Sequence, residues 1–338
     1  MSVFVDIKKT FPDFSLDAKF ESERETLALL GASGCGKSLI LKCIAGIERP
    51  DSGRIIINGE VVYDGEKRIN LPPQKRHVGF LFQNYALFPT KTVYDNIACV
   101  IKKPKAERGA IVADIIQKFQ LENVQRLYPR EISGGQQQRT ALARILVSEP
   151  KIIMLDEPFS ALDTQLKWSM EQEVSAVLRD FEGPSLLVSH DREEVYRMSD
   201  KIAVMDNGKV DSYGTKTDIF DTPRTLAAAR MTGCKNISRA EKLGDYTVRA
   251  LDWGITLTTA QPVPDSIKHV GVRASHITAD STKNRFPCHV HSVTDEPFDK
   301  IITVTFAEGG EKVQYVTSKS ASEPDFLAIA PDKILLLE

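Results

Sequence analysis

Eight consecutive residues, Gly31-Ala32-Ser33-Gly34-Cys35-Gly36-Lys37-Ser38, carry the clearest chemistry in the chain. They fit the pattern G-x-x-x-x-G-K-[ST], in which glycines let the backbone curl until its amides face an anion. The positive end of the following helix adds to that field. In such a loop Lys37 reaches the β- and γ-phosphates of a nucleotide and the Ser38 hydroxyl ligates Mg²⁺. A second group, Leu155-Asp156-Glu157, ends the apolar run that starts at Lys151. An acid at the tip of a buried strand suits a phosphate site. Asp156 would bind Mg²⁺ through water and Glu157 would polarise an attacking water as general base. Ser133-Gly134-Gly135-Gln136-Gln137-Gln138-Arg139 opens a helical stretch from Gln136 to Leu146. Ser133 and the free amides behind it could hold another anion, and the same residues would also serve as an ordinary N-cap.

The elements that must position these groups follow from the patterning. Thr26–Leu30, Lys151–Leu155 and Ser185–Ser189 read as buried strands, and Lys201–Met205 enters a hairpin through Asp206-Asn207-Gly208. Alternation with helical stretches predicts an α/β domain with a largely parallel sheet. From Asn84 to Glu149 the character is helical, with Ile111, Ile115, Ile116 and Phe119 on one face. Beyond Lys235 short strands recur at 246–250, 255–259, 301–306 and 312–316. In the third of these, Ile302, Val304 and Phe306 face one way and Thr303 and Thr305 the other. A separate small β-barrel is expected there.

Composition narrows the classes. The chain has 338 residues, 42% hydrophobic, with Lys+Arg 44 against Asp+Glu 46 and a net charge of −2. That is enough for two globular domains and gives no support to nucleic-acid binding. The longest apolar runs fall far short of the roughly 20 residues a spanning helix needs. Met1–Asp6 has neither a basic start nor a long apolar stretch, so no signal peptide is expected. Five scattered cysteines fit a reducing cytoplasm.

Walker A at Gly31–Ser38, the Ser133–Arg139 signature, Walker B at Ile152–Glu157 and Ser160-Ala161-Leu162-Asp163 occur in the order seen in ATP-binding cassette (ABC) ATPases. The chain resembles that family over residues 1 to 232. The resemblance implies a P-loop NTPase fold with an inserted helical subdomain at about 84–149. It places Gln83 in the Q-loop as a metal ligand beside Ser38 and Asp156. His190, in Val188-Ser189-His190-Asp191, becomes the switch histidine. Phe11 is the nearest match to the aromatic that stacks on adenine, with Phe14 as the alternative. Ile132 stands where the family usually has Leu, and Leu39 where Thr is usual. The family holds ATP between the phosphate loop of one subunit and the signature of another. The resemblance therefore implies a homodimer in which Asp163 crosses between sites. It also implies integral membrane permease subunits as partners and, indirectly, an extracytoplasmic substrate-binding protein. Tyr85, Phe88 and Tyr94 are expected as exposed anchors for the permease. The location implied is peripheral, on the cytoplasmic face of the membrane.

Gly271–Ile277, Lys283–Cys288 and Ser292–Phe298 resemble the OB-type (TOBE) barrel appended to importer ATPases, here at 235–338. With Thr232–Ile237 they look most like the molybdate and tungstate branch. Ser281, Thr282, Lys283 and Asn284 are then the expected oxyanion ligands, although any polar turn holds such residues. Alternatives are sulfate, ferric-iron, sugar or polyamine import, or a non-transport cassette acting as a regulatory module. Cassettes of DNA-repair and chromosome-organising type insert long coiled coils before the signature. Here Ser133 follows Lys37 by only 96 residues without sustained heptads. His289 and His291 alternate with Cys288 and Val290 along a strand and are expected on a solvated face.

Overall fold

The computed structural model describes residues 1–160, 162–279 and 282–338. The chain divides into two compact units, Met1–Lys216 and Thr217–Glu338.

The first unit is built on one sheet. Its strands are β1 (Val3–Phe11), β2 (Phe14–Ser22), β3 (Thr26–Gly31), β4 (Ser52–Ile57), β5 (Glu60–Asp64), β6 (Ile69–Asn70), β7 (Val78–Leu81), β8 (Ile152–Asp156), β9 (Ser185–Ser189), β10 (Lys201–Asp206) and β11 (Lys209–Thr215). They lie in the order β6-β5-β4-β1-β2-β11-β10-β3-β9-β8-β7. From β7 to β10 all pairs are parallel. Residues in β3, β8 and β9 are buried throughout, as parallel strands covered on both faces must be.

The far wing corrects the expectation of a largely parallel sheet. β1 pairs antiparallel with β2 and β4, and β4 with β5. β1–β2 and β4–β5 are hairpins with short turns, and a short turn can only reverse the chain, whereas β4 comes back beside β1 after α1. Asn58 and Gly59 turn between β4 and β5 at φ +48° and +79°, a type I′ signal. Asn207 and Gly208, at +45° and +79°, make the same turn between β10 and β11.

Helices α1 (Lys37–Ala45), α2 (Val93–Ala98), α3 (Lys105–Lys118), α4 (Gly134–Leu146), α5 (Thr164–Asp180) and α6 (Arg192–Met198) complete the unit. Val112, Ile115, Ile116 and Phe119 are buried on the inner side of α3, close to the expected face. α1 buries Ile40, Leu41 and Ile44 in a core shared with Leu27, Leu29, Met154 and Val188. Each such side chain contributes about 1.5–3 kcal/mol. Arg76, 1% exposed, holds the far end of α1 by donating to the carbonyls of Cys43 and Ile44. No helix among the described residues is long and apolar enough to cross a membrane.

The second unit starts upstream of the expected break at 232–235. Helices α7 (Lys216–Asp221) and α8 (Leu226–Met231) precede its strands. Ala229 of α8 packs with Cys234, Leu335 and Leu337, which ties that helix to the C-terminal region. The strands are β12 (Asn236–Gly244), β13 (Thr247–Ala250), β14 (Ile255–Thr258), β15 (His269–Val272), β16 (Ile277–Thr278), β17 (Arg285–Pro287), β18 (His289–Asp295), β19 (Asp299–Thr305), β20 (Val313–Ser318), β21 (Phe326–Ile329) and β22 (Leu335–Leu337). They form small antiparallel sheets around a core containing Trp253, Ile302 and Val304, an OB-like arrangement. His289 and His291 are exposed on β18, as the alternation requires.

Candidate functional site

The C-terminal edge of the parallel strands gathers the chemistry. Gly31 ends β3 against β10, and a Cβ there would stand 2.5 Å from the Met205 carbonyl oxygen. The chain then curls through Gly34 and Gly36, at φ +81° and +101°, and Gly36 caps α1. Both angles lie in the region that glycine adopts without a Cβ clash. Lys37 is 5% exposed, and its Nζ donates to the carbonyls of Gly31 at 2.7 Å and Ala32 at 2.8 Å. Cys35 Sγ lies 3.7 Å away. No carboxylate pairs with this ammonium among the described residues, so an arriving phosphate would supply its counter-charge.

Ser38 donates through Oγ to Asp156 Oδ1 at 2.7 Å, which joins the loop to the end of β8. Register makes this possible: Asp156 lies beside Val188 of β9, and Ser189 beside Leu30 of β3. Burial pushes the Asp156 carboxyl above its usual range, the Ser38 hydrogen bond opposes that, and the neighbouring Glu157 charge adds to it. Glu157 turns away at φ +45°, and its amide donates to the Val188 carbonyl at 2.9 Å. Its Oε1 lies 3.1 Å from His190 Nδ1. Two neighbouring strands thus deliver a carboxylate and an imidazole to one place.

Gln83 follows β7 and donates through Nε2 to Ser160 Oγ at 3.3 Å, and Ser160 Oγ donates in turn to the Glu157 carbonyl at 3.0 Å. A cavity of about 230 Å³ is lined by Glu157, Ser160, His190, Lys167 and Asp191, among others. Sequence reasoning missed the network at its back. Lys167 binds Asp191 at 2.6 Å and Glu194 at 2.5 Å, and Ser189 donates to Glu194 at 2.6 Å. Burial opposes the Lys167 charge, but its two carboxylate partners outweigh that and raise its pKa. The network fixes the residues on both sides of His190. The Asp191 cap was legible as an acid before Arg192-Glu193-Glu194, but no local pattern announces its pairing with Lys167.

Ser133 caps α4. Its Oγ accepts from the Gln136 amide at 3.3 Å, and Gln136 Oε1 accepts from the Ser133 amide at 2.9 Å. Cβ atoms on Gly134 and Gly135 would meet Leu162 at 3.5 Å and Leu166 at 3.4 Å. Asp163 caps α5 by accepting from the Leu166 amide at 3.0 Å. Among the described residues, no hydrogen bond or ion pair joins Ser133 or Asp163 to Lys37, Ser38, Glu157 or His190. Ala161, between Ser160 and Leu162, lies outside the described residues.

One expectation is left open here and two change. Phe11 is 40% exposed, whereas the Phe14 ring would lie 2.9 Å from a Cβ on Gly36, so Phe14 presses on the loop and Phe11 is open to stacking. Tyr85, expected as an exposed anchor, is 5% exposed because its ring turns into the first unit's interior; Phe88 is exposed. In the second unit, Asn284 Nδ2 donates to the carbonyls of Thr258 and Ile329, and its Oδ1 accepts from the Thr258 amide. Its carboxamide is committed to joining strand ends. Thr282 and Lys283 are exposed, and Ser281 lies outside the described residues.

Asp156 provides a test by stability. Asp156→Asn removes a carboxylate whose burial opposes its charge, so the protein in EDTA gains about 0.5–2 kcal/mol. Thermal unfolding in EDTA checks this, with a higher melting temperature expected for the variant. The sign reflects pH: a carboxyl whose pKa is raised on folding favours the folded state fully only below its unfolded pKa. The benefit disappears as pH rises through the folded value.

A family model described as ABC transporter matches residues 16–160. The spermidine/putrescine import ATP-binding protein PotA of Clostridioides difficile is 41% identical over 239 residues, 70% of this chain and 66% of that protein. The protein of the same name from Oleidesulfovibrio alaskensis is 42% identical over 63% of this chain and 56% of its own length. In both cases the matched stretch is less than two thirds of the relative. The Vibrio vulnificus protein of that name is 38% identical over 271 residues, 78% of this chain and 70% of its own length. A bacterial ABC transporter cassette solved as a dimer superposes with a TM-score of 0.54 and 25% identity, covering 64% of this chain and 99% of that one.

Proposed function

Because the chain belongs to the ABC transporter family, we propose that it is the ATP-hydrolysing subunit of an importer, acting as a homodimer. The observation that carries this is the joining of Lys37, Ser38 and Asp156 to the Glu157–His190 pair at one sheet edge. In this reading the loop amides and Lys37 hold the phosphates. Glu157 takes the proton of the attacking water, and His190, 3.1 Å from its carboxylate, orients that carboxylate. Ser38 and Asp156, with Gln83, offer hard oxygen donors but no closed cage. That suits Mg²⁺, which keeps waters and phosphate oxygens as ligands. Bound there, Mg²⁺ would neutralise charge on the β- and γ-phosphates.

The signature, self-capped at Ser133, serves the phosphate loop of a second copy, and the twofold arrangement gives two sites. Permease subunits in the membrane take up the resulting motion at the cytoplasmic face, and an extracytoplasmic binding protein supplies the cargo. Polyamines are the cargo this reading favours, since the relatives bear that name. A molybdate or tungstate cargo rests on residues 281–284, and Asn284 is occupied elsewhere.

The purified full chain should release phosphate from MgATP. Specific activity should rise with protein concentration, because each site needs two copies. No phosphate release at millimolar MgATP would overturn the reading, and a rate per molecule independent of concentration would remove the shared site.

A further inference from the structure

The turn behind Gln83 is held in a conformation its residues disfavour. Tyr85 and Ala86 are adjacent and lack glycine's freedom, yet they sit at φ +58° and +44°. There the Cβ crowds the following carbonyl. The Tyr85 amide donates to the Phe82 carbonyl at 2.8 Å and the Ala86 amide to that of Asn84 at 2.7 Å, which closes the turn. The carbonyls of both strained residues meet one side chain. Arg144 donates through Nη1 to the Ala86 oxygen at 2.8 Å and through Nη2 to the Tyr85 oxygen at 3.0 Å.

Arg144 is an unusual choice for an ordinary surface contact. Its guanidinium carbon lies 5.5 Å from the centre of the Phe88 ring, and no carboxylate pairs with it among the described residues. Burial lowers its pKa. A half-buried cation is committed to two backbone carbonyls. Arg144 stands in the last turn of α4, the helix whose first turn is capped by Ser133. About 16 Å of helix separates the two at 1.5 Å per residue.

We propose that Arg144 is a positioning residue that latches the left-handed turn behind Gln83, so that Gln83's placement depends on the helix carrying the signature. The inference rests on the ATPase reading for its consequence, because Gln83 matters there as a metal-side ligand. The latch itself is a property of the turn. A shift of α4 would pull on the two carbonyls and loosen Gln83 without any direct contact between Ser133 and Gln83.

Arg144→Lys keeps the charge and stem but cannot bridge two carbonyls with a planar fork. In the full chain, hydrogen exchange at the Tyr85 and Ala86 amides should accelerate. The Mg²⁺ concentration that half-saturates ATP hydrolysis should rise about tenfold, the scale of losing an outer-shell partner. Nucleotide affinity measured in EDTA should stay within about twofold, because the phosphate loop is untouched. Ala86→Gly accepts the left-handed angle without strain and should restore both readouts in the Arg144→Lys background. Unchanged exchange in Arg144→Lys, or no rescue by Ala86→Gly, overturns the latch. If exchange changes and is rescued but the unsubstituted chain hydrolyses no ATP, the latch stands and the ATPase reading fails.

Discussion

Lys37→Ala should abolish the proposed MgATP hydrolysis, lowering the rate by at least about a hundredfold, the scale of removing one donor aimed at developing charge. The reason lies in how the ammonium is held. Two loop carbonyls grip it at 2.7 and 2.8 Å inside a turn shaped by Gly34 and Gly36. No other cation among the described residues is hydrogen-bonded to this loop. The variant should fold, since Lys37 contributes its charge to the loop rather than an apolar surface to the core. Circular dichroism that matches the unsubstituted chain, together with lost phosphate release, is the expected result. Full turnover in the variant would move the nucleotide site elsewhere.

Glu157→Gln separates binding from chemistry. Glutamine keeps the shape and can still bond His190, but it cannot accept a proton from water. Hydrolysis should fall by about 10²–10⁴, the range for loss of a general base. ATP should then persist, and with MgATP the variant should appear as a dimer by light scattering. The unsubstituted protein should revert to monomer as its ATP is consumed. No change in mass on adding MgATP to Glu157→Gln would argue against two copies sharing the site. A merely weakened nucleotide affinity would give low turnover without the persistent dimer.

The site was legible where its members are close in sequence or recur as a fixed pattern. Gly31 to Ser38 form one local turn, and the buried run before Asp156 announces its own strand. Their meeting could be read from motif order, and Ser38 does reach Asp156. The antiparallel wing was legible in principle, because Val5 and Ile7 alternate with the charged Asp6 and Lys8 and Asn58-Gly59 marks the reversal. A two-residue turn signal is easily overlooked beside a long parallel pattern. Long-range side-chain pairs left no such trace. Nothing in the sequence links Lys167 to Glu194, or Arg144 to the carbonyls of Tyr85 and Ala86, since those pairings depend on how helices lie on the sheet. Tyr85 was misjudged for a related reason: a left-handed backbone turned its ring inward.

The strand order also governs when this molecule can be finished during synthesis. β3 carries the phosphate loop, yet its two neighbours are β9 and β10, supplied by residues 185–206. The hairpins β1–β2 and β4–β5 close over short separations and can form while the chain is still growing. β3 must wait, with both edges open, for well over a hundred further residues. An unpaired apolar strand is a template for association with other chains. Fragments ending before β9 should therefore aggregate even though they contain the whole phosphate loop, and shielding of nascent β3 becomes a requirement of this topology.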